Sequence, residues 1–310
     1  MARSRKDDAI VRASTQHYYQ HVNMIHAAFD RIAQNERPPK RILFSGDSLL
    51  RQLFISIGCN ALSWPSFSPS WNGKNLVEHA EIPWKDEWPC SKNFCIINHG
   101  SHGGFDAASI RLVNGMELHF VPHMGFKDDF TSETNILERL HQDIEDYGRI
   151  TFGKKTAMPP GGPHVDVLVF NVGIHHSNLY QAQKKISNFA NWIAKPLMKL
   201  RNLNELNDGH SPTQTIYVTT PTQHYNTSNG QWHHHMTPED IRCVDEIQSN
   251  PQAELEKELL TPGVNVDVLL DYDDLNLGGL HVRKGSDCSH YCMPGVPDVV
   301  AARLMEAILL

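Results

Sequence analysis

Arg41-Ile42-Leu43-Phe44-Ser45-Gly46-Asp47-Ser48-Leu49-Leu50-Arg51-Gln52-Leu53-Phe54 is the stretch on which the fold turns. Arg41 to Ser45 is a short apolar run with the length of a buried strand. Gly46-Asp47-Ser48 is a tight turn. From Leu49 to Cys59 the apolar residues Leu49, Leu50, Leu53, Phe54 and Ile57 return at helical spacing, so a helix packed on one face follows. A strand, a turn and a helix in this order open many α/β folds. A serine on such a turn stands at the end of the sheet, close to the positive N-terminal end of the next helix. The plain alternative is that Ser48 only caps that helix, a task Asp47 can also perform.

Outward from this unit the chain alternates. Further strands are expected at Phe94 to Ile97, Leu118 to Val121, Val165 to Phe170, Thr215 to Val218 and Val264 to Leu270. The Val-rich run at 165–170 is nearly continuous, as strands buried on both faces of a parallel sheet are. Helices are expected over residues 8–34, 49–59, 132–147, 178–200 and 297–310. Thr237-Pro238-Glu239-Asp240 reads as a further helix start, with Thr as cap and Pro in the first turn. Residues 60–92, rich in Pro, Ser and Trp, read as a long loop. The pattern implies an α/β fold of three layers, with a mainly parallel sheet and helices on both faces. Residues 1–40 are expected to form an N-terminal helical extension, and 41–310 a single catalytic domain.

Composition narrows the class. The 310 residues are 40% hydrophobic and 20% charged, enough for a full core and too ordered in character for wholesale disorder. The net charge of −7, without a Lys/Arg block, argues against nucleic acid or an anionic membrane as partner. The longest apolar stretch, Val165 to Ile174, is about half what a spanning helix needs, so no membrane span is expected. Met1 to Asp8 is polar and no apolar h-region follows, so no signal peptide is read. The chain is then cytosolic as written, or a leader and anchor are missing from it. Six cysteines, at 59, 90, 95, 243, 288 and 292, leave free thiols and up to three disulfides equally open. One glycosylation triplet, Asn226-Thr227-Ser228, leans toward a secretory protein.

Ser48 needs a base, because a serine hydroxyl is a poor nucleophile until its proton is removed. Asp287-Cys288-Ser289-His290 offers an acid and an imidazole three residues apart, in an expected loop before the last helix. There His290 can take the serine proton while Asp287 holds the other ring nitrogen. With 19 histidines in the chain, an Asp-x-x-His alone says little; its weight comes from the Gly-Asp-Ser unit near the other end. Asn171 follows the strand ending at Phe170, where open α/β sheets place their sites, and its amide can donate to an oxyanion. Arg51, one helical turn after Ser48, shares its face and can steady the same charge. His233-His234-His235 has the composition of a metal ligand set, but consecutive side chains rarely converge on one ion, so no metal is expected. Trp64, Trp71, Trp84 and Trp88 suit either sugar stacking or plain loop packing.

Taken together, four segments carry a family resemblance. Phe44-Ser45-Gly46-Asp47-Ser48-Leu49-Leu50-Arg51 resembles the GDS block of the plant trichome-birefringence-like proteins and their PC-esterase relatives, within the GDSL/SGNH superfamily. Asp287-Cys288-Ser289-His290-Tyr291-Cys292-Met293-Pro294-Gly295-Val296-Pro297-Asp298 is similar to that family's D-C-S-H-W-C-L-P-G-x-P-D, with Tyr291 for Trp and Met293 for Leu. Phe170-Asn171-Val172-Gly173-Ile174-His175-His176 is similar to F-N-x-G-H-W-W. Pro221-Thr222-Gln223-His224-Tyr225, through Trp232 to Cys243, resembles S-P-x-H-F…W…C. The resemblance spans residues 41 to 310. Its departures are His175 and His176 in place of the paired tryptophans, and the three histidines after Trp232 in place of a Gly-rich stretch. They fall where an acceptor would bind.

The resemblance implies Ser48, Asp287 and His290 as catalytic residues, and Arg51 and Asn171, with the Ser48 backbone N–H, as the oxyanion site. It places His175, His176, His224 and Trp232 at the substrate. It implies disulfides, since Cys288 and Cys292 sit at family cysteine positions. It implies polysaccharide O-acetylation in the Golgi lumen or secretory pathway, with a glycan acceptor, an acetyl donor as co-substrate and no bound cofactor. An esterase run by the same residues is the first alternative, and a carbohydrate-binding pseudoenzyme the second.

Overall fold

The computed structural model describes residues 24–31, 41–63, 77–81, 108–112, 116–122, 165–174, 178–195, 214–227, 237, 239, 243–244, 249–272, 281–283, 287–291 and 296–309. Helix α1 covers residues 24–31. The elements that follow are β1 (Arg41–Gly46), α2 (Ser48–Ser63), β2 (Val77–Glu81), β3 (Ala108–Leu112), β4 (Glu117–Pro122) and β5 (Val167–Phe170). Next come α3 (Leu179–Phe189), which runs on into a π-helical turn at Ala190–Ala194, then β6 (Gln214–Val218), α4 (Pro251–Leu259) and β7 (Val268–Leu270). The hairpin strands β8 (His281–Arg283) and β9 (Asp287–Tyr291) precede α5 (Val296–Leu309).

Seven strands form one sheet in the order β2-β3-β4-β1-β5-β6-β7. From β4 to β7 every pairing is parallel. β2 and β3 extend one edge in antiparallel fashion. The chain is therefore α/β with a mainly parallel sheet, as the alternation of strands and helices predicts. Among the five parallel strands the chain order is 2-1-3-4-5: it leaves β1 for β4 on one side, then crosses to β5 on the other. This is the topological switch point at which open sheets of this kind form a crevice beyond the strand ends.

The strands alternate between two apolar clusters, as a period of two requires. Ile42, Phe44, Val167, Val169, Ile216 and Val218 pack with Leu50, Leu53, Phe54 and Ile57 of α2 and with α5. Leu43, Leu168, Phe170 and Tyr217 pack instead with Ala182, Ile186 and Phe189 of α3. Ile25, Ala28 and Phe29 of α1 are buried in the first cluster, so this part of the N-terminal extension shares the core of the body it precedes.

Several expectations need correction. Residues 60–92 are not all loop: α2 runs on to Ser63, and Val77–Glu81 is an edge strand. Of the helix start read at Thr237-Pro238-Glu239-Asp240, Thr237 is irregular and Glu239 lies in a turn, while Pro238 and Asp240 lie outside the described residues. The same cap-and-proline chemistry is realised at Asn250-Pro251, where the Asn250 side chain accepts from Ala253 N and opens α4. Val264 is not in a strand; β7 begins at Val268, after a turn containing Gly263 at φ +74°. Asp287 to His290 lie on strand β9 and not in a loop. The strand expected at 94–97 and the helix expected at 132–147 lie outside the described residues. Among the described residues no helix is long and apolar enough to cross a membrane.

Candidate active site

The turn after β1 is held by its own aspartate. The Asp47 carbonyl accepts from Arg51 N at 3.0 Å, the first bond of α2, and Asp47 Oδ1 accepts from Leu49 N at 2.9 Å. Asp47, not Ser48, is thus the cap of α2. Ser48 is therefore not needed for capping. Ser48 opens the helix and is 4% exposed, at the C-terminal end of the central strand.

Next to it, β1 and β5 run parallel with Ser45 opposite Phe170. The residues that leave β5 therefore meet the residues that leave β1. Asn171 Oδ1 accepts from Asp47 N at 3.2 Å, and Asn171 Nδ2 donates to Asp47 Oδ1 at 3.1 Å. Ile174 N donates to Asp47 Oδ2 at 3.0 Å. A fully buried carboxylate is expensive without partners; Asp47 receives at least three donors, two of them from the segment that leaves the neighbouring strand.

The approach of the two turns requires glycine on both sides. A Cβ on Gly46 would stand 2.0 Å from Asn171 Oδ1, and one on Gly173 would stand 2.3 Å from Asp47 Oδ2. Gly173 also has φ +73°, a conformation that strains any residue with a Cβ. Gly46-Asp47-Ser48 and Asn171 to Ile174 are one interlocked unit. The sequence reading named Asn171 for its amide; the structure adds that this amide clamps Asp47.

Below the unit lies a polar cluster that the sequence reading did not find. Tyr217, whose ring packs against Phe170 and Phe189, accepts from Val172 N at 3.2 Å and donates to Glu256 Oε1 at 2.9 Å. Gln252 Nε2 donates to Gly173 O and to Thr220 Oγ1, each at 2.8 Å, and approaches Glu256 Oε1 at 3.2 Å. Thr220 donates to Glu256 from its N at 2.6 Å and from its hydroxyl at 2.8 Å. Glu256 is fully buried, and burial pushes its carboxyl from 4.5 up to about 7 against the pull of these donors. Burial, with the nearby Glu256 charge, also holds the Tyr217 hydroxyl well above its ordinary range, so it remains a donor. The available signal was the Asn250-Pro251 helix start; once α4 is drawn, Gln252 and Glu256 share a face at i and i+4.

The expected acid and base, Asp287 and His290, belong to the β8–β9 hairpin. Its register sets His281 opposite Tyr291 and Arg283 opposite Asp287. Ser289, between the two expected catalytic residues, is buried, accepts from Gln223 Nε2 at 2.7 Å and reaches Tyr225 Oη at 3.4 Å. Asp287 and His290 thus ride on a strand tied to the segment that leaves β6; their side chains lie outside the described residues.

Of the other expected residues, Arg51 is buried on the first turns of α2. His224 is buried with Nδ1 3.0 Å from Val244 O, so one ring nitrogen is engaged by backbone. His175, His176, Trp232, His233, His234, His235, Trp64, Trp71, Trp84 and Trp88 lie outside the described residues. Cys59 and Cys243 are disulfide-bonded, and no described cysteine is free, which decides the open question of the thiols for those two. No family model matches this chain, and no curated protein matches it.

Proposed function

We propose that this chain is a serine-dependent acyl-transfer enzyme of the GDSL/SGNH type, akin to the trichome-birefringence-like and PC-esterase proteins, that O-acetylates a polysaccharide. The observation that carries the reading is the interlock of Gly46-Asp47-Ser48 with Asn171 to Ile174 at the switch point of the sheet. A nucleophile needs a rigid seat beside pre-set donors, and this is the place in the fold where adjacent strand ends supply one. The three-layer SGNH arrangement is the corresponding reading of the fold.

In the proposed mechanism Ser48 Oγ attacks the acetyl donor carbonyl as His290 takes the hydroxyl proton. The tetrahedral oxyanion is met by the Ser48 N–H and by Asn171 Nδ2, whose second hydrogen remains after one is given to Asp47. Arg51 adds positive charge from the same helix. Collapse expels the donor's leaving group, protonated by His290, and leaves acetyl-Ser48. His290 then deprotonates a sugar hydroxyl, which takes the acetyl group and regenerates Ser48. Asp287 stabilises the imidazolium in both halves. Water in place of the sugar makes the same site an esterase. His224, His175, His176 and Trp232 are the proposed acceptor contacts. The disulfide-bonded Cys59 and Cys243 and the exposed Asn226 of the glycosylation triplet support a secretory or Golgi-lumen setting.

The test is incubation with an acetyl donor and oligosaccharides, read by mass spectrometry, beside labelling with a fluorophosphonate probe. Acetylated sugar and a label on Ser48 are expected. Donor hydrolysis without acetylated sugar would favour the esterase; a wild type labelled no more than Ser48→Ala would favour the binding pseudoenzyme.

A further inference from the structure

We infer that Glu256 is a positioning residue of this site: its buried carboxylate aims Tyr217 and Gln252 at the backbone of Val172 and Gly173, and so sets Asn171 against Asp47. The inference rests on the acyl-transfer reading for its consequence in catalysis, but the positioning itself can be measured without any substrate.

The geometry is a relay of three steps. Glu256 Oε1 takes the Tyr217 hydroxyl hydrogen, which leaves the Tyr217 oxygen facing Val172 N–H. Gln252, one turn earlier on α4, spans from Glu256 and Thr220 to the Gly173 carbonyl. Val172 and Gly173 lie between Asn171 and Ile174, both of which bond Asp47. Two of the four partners of the carboxylate, Thr220 N–H and Gln252 Nε2, can only donate. The arrangement therefore suits an ionised Glu256.

Protonation disturbs it in a specific way. The new O–H needs an acceptor, and the oxygens in reach are those of Tyr217 and Thr220. On Tyr217 it would compete with Val172 N–H; on Thr220 it would compete with Gln252. Either choice disturbs the hydrogen bonding through which Tyr217 and Gln252 support the 171–174 backbone. The groups that face the carboxyl among the described residues are Tyr217 on β6, Thr220 just beyond it and Gln252 on its own helix; Asp47 acts on it only at one remove, through Tyr217. With its carboxyl raised by burial to about 7, this change falls in the working range of an enzyme. A histidine base ordinarily titrates near 6.5, so two protons are expected to shape the acid limb.

The test compares wild type with Glu256→Gln, which fixes the neutral form, and with Tyr217→Phe, which removes the link to Val172 without opening a cavity and serves if Glu256→Gln does not fold. Amide hydrogen exchange over residues 171–174 and the pH dependence of kcat/KM, or of the fluorophosphonate labelling rate, are the readouts. Wild type is expected to show faster exchange at pH 6 than at pH 8 beyond the intrinsic pH effect. Either variant should show the faster behaviour at both. The acid limb should be steeper than about one in wild type where Glu256 titrates, and about one throughout in Glu256→Gln. In Glu256→Gln, kcat should drop about tenfold with KM little changed. Wild-type protection over 171–174 at pH 8 in both variants, with an unchanged acid limb, would overturn the inference. If wild type is not labelled at Ser48, the acyl-transfer reading fails, while the exchange arm still decides whether Glu256 holds the loop.

Discussion

The two halves of the candidate site are built on different principles. The nucleophile half grows out of β1 and β5, central strands of a seven-stranded sheet, with apolar clusters packed against both sets of alternating side chains. The acid–base half rides on β9, paired only with the three-residue β8 in a separate two-stranded sheet. Two strands alone are at best marginal in water. The hairpin depends on what ties it to the body, and among the described residues Ser289 is tied to Gln223 and to Tyr225. The placement of Ser48 is thus inherent in the sheet, whereas the described ties of the strand that carries Asp287 and His290 are polar contacts of Ser289.

The largest test of that contrast removes chemistry from each half. Ser48→Ala and His290→Ala should each lower acyl transfer by several orders of magnitude, and the double variant should be little worse than either, because the two act as one unit. Asp287→Asn should be severe but milder. Steady-state rates of the purified variants check this; normal activity in Ser48→Ala would end the reading.

Gly173→Ala comes next. Its Cβ would meet Asp47 within 2.3 Å at a φ of +73°, in a place where the sheet allows little relief. A loss of about 2 kcal/mol or more in stability is expected, with activity falling in step. Thermal denaturation and rate measurements together would show it. A neutral Gly173→Ala would mean that the nucleophile half is more pliable than its packing implies.

A pH test sharpens the same half. Because the folded carboxyl of Glu256 lies above its ordinary 4.5, the native state holds its proton longer than the unfolded chain does. Its contribution is most favourable below about 4.5 and is lost as pH rises toward about 7, on the order of 3 kcal/mol in all. Urea unfolding of wild type and Glu256→Gln between pH 4.5 and 8 should show this declining component in wild type only.

The mildest change addresses the hairpin. Ser289→Ala removes the acceptor of Gln223 at a cost of about 1 kcal/mol in stability. Activity is expected to fall about tenfold, out of proportion to stability, since one lost tie should misplace both residues of the acid–base pair. Equal and small effects on both would show that the hairpin has other anchors.

The same contrast governs how far the sequence could be read. β1, β5, β6, α2 and α5 announce themselves by continuous or periodic apolar residues, and the strand-turn-helix around Ser48 follows from them. β2 and β3 are hard to read because Val77-Glu78-His79-Ala80-Glu81, at the sheet edge, and Ala108-Ser109-Ile110-Arg111-Leu112, next to it, mix polar and apolar residues that propensity alone hardly separates from loop. Asp287-Cys288-Ser289-His290-Tyr291 reads as loop for the same reason: its pairing with β8 is a tertiary fact, not a local one. Helix α4, Pro251-Gln252-Ala253-Glu254-Leu255-Glu256-Lys257-Glu258-Leu259, looks like a solvated face. Nothing in its pattern says that Gln252 and Glu256 are buried while Glu254 is not. That assignment is made by Tyr217 and Thr220, more than thirty residues away.

One contact reaches farther still. Asp298 of α5 accepts from Ser56 Oγ at 2.7 Å and from Asn60 Nδ2 at 3.2 Å on α2, across 242 and 238 positions of chain. During synthesis, the helix that begins at Ser48 emerges long before its staple exists. Its apolar face must wait, exposed or chaperoned, until residues 296–309 have left the ribosome. On the proposed acyl-transfer reading, activity can therefore arise only after that late closure, so a stalled or shortened nascent chain would carry Ser48 without the means to use it.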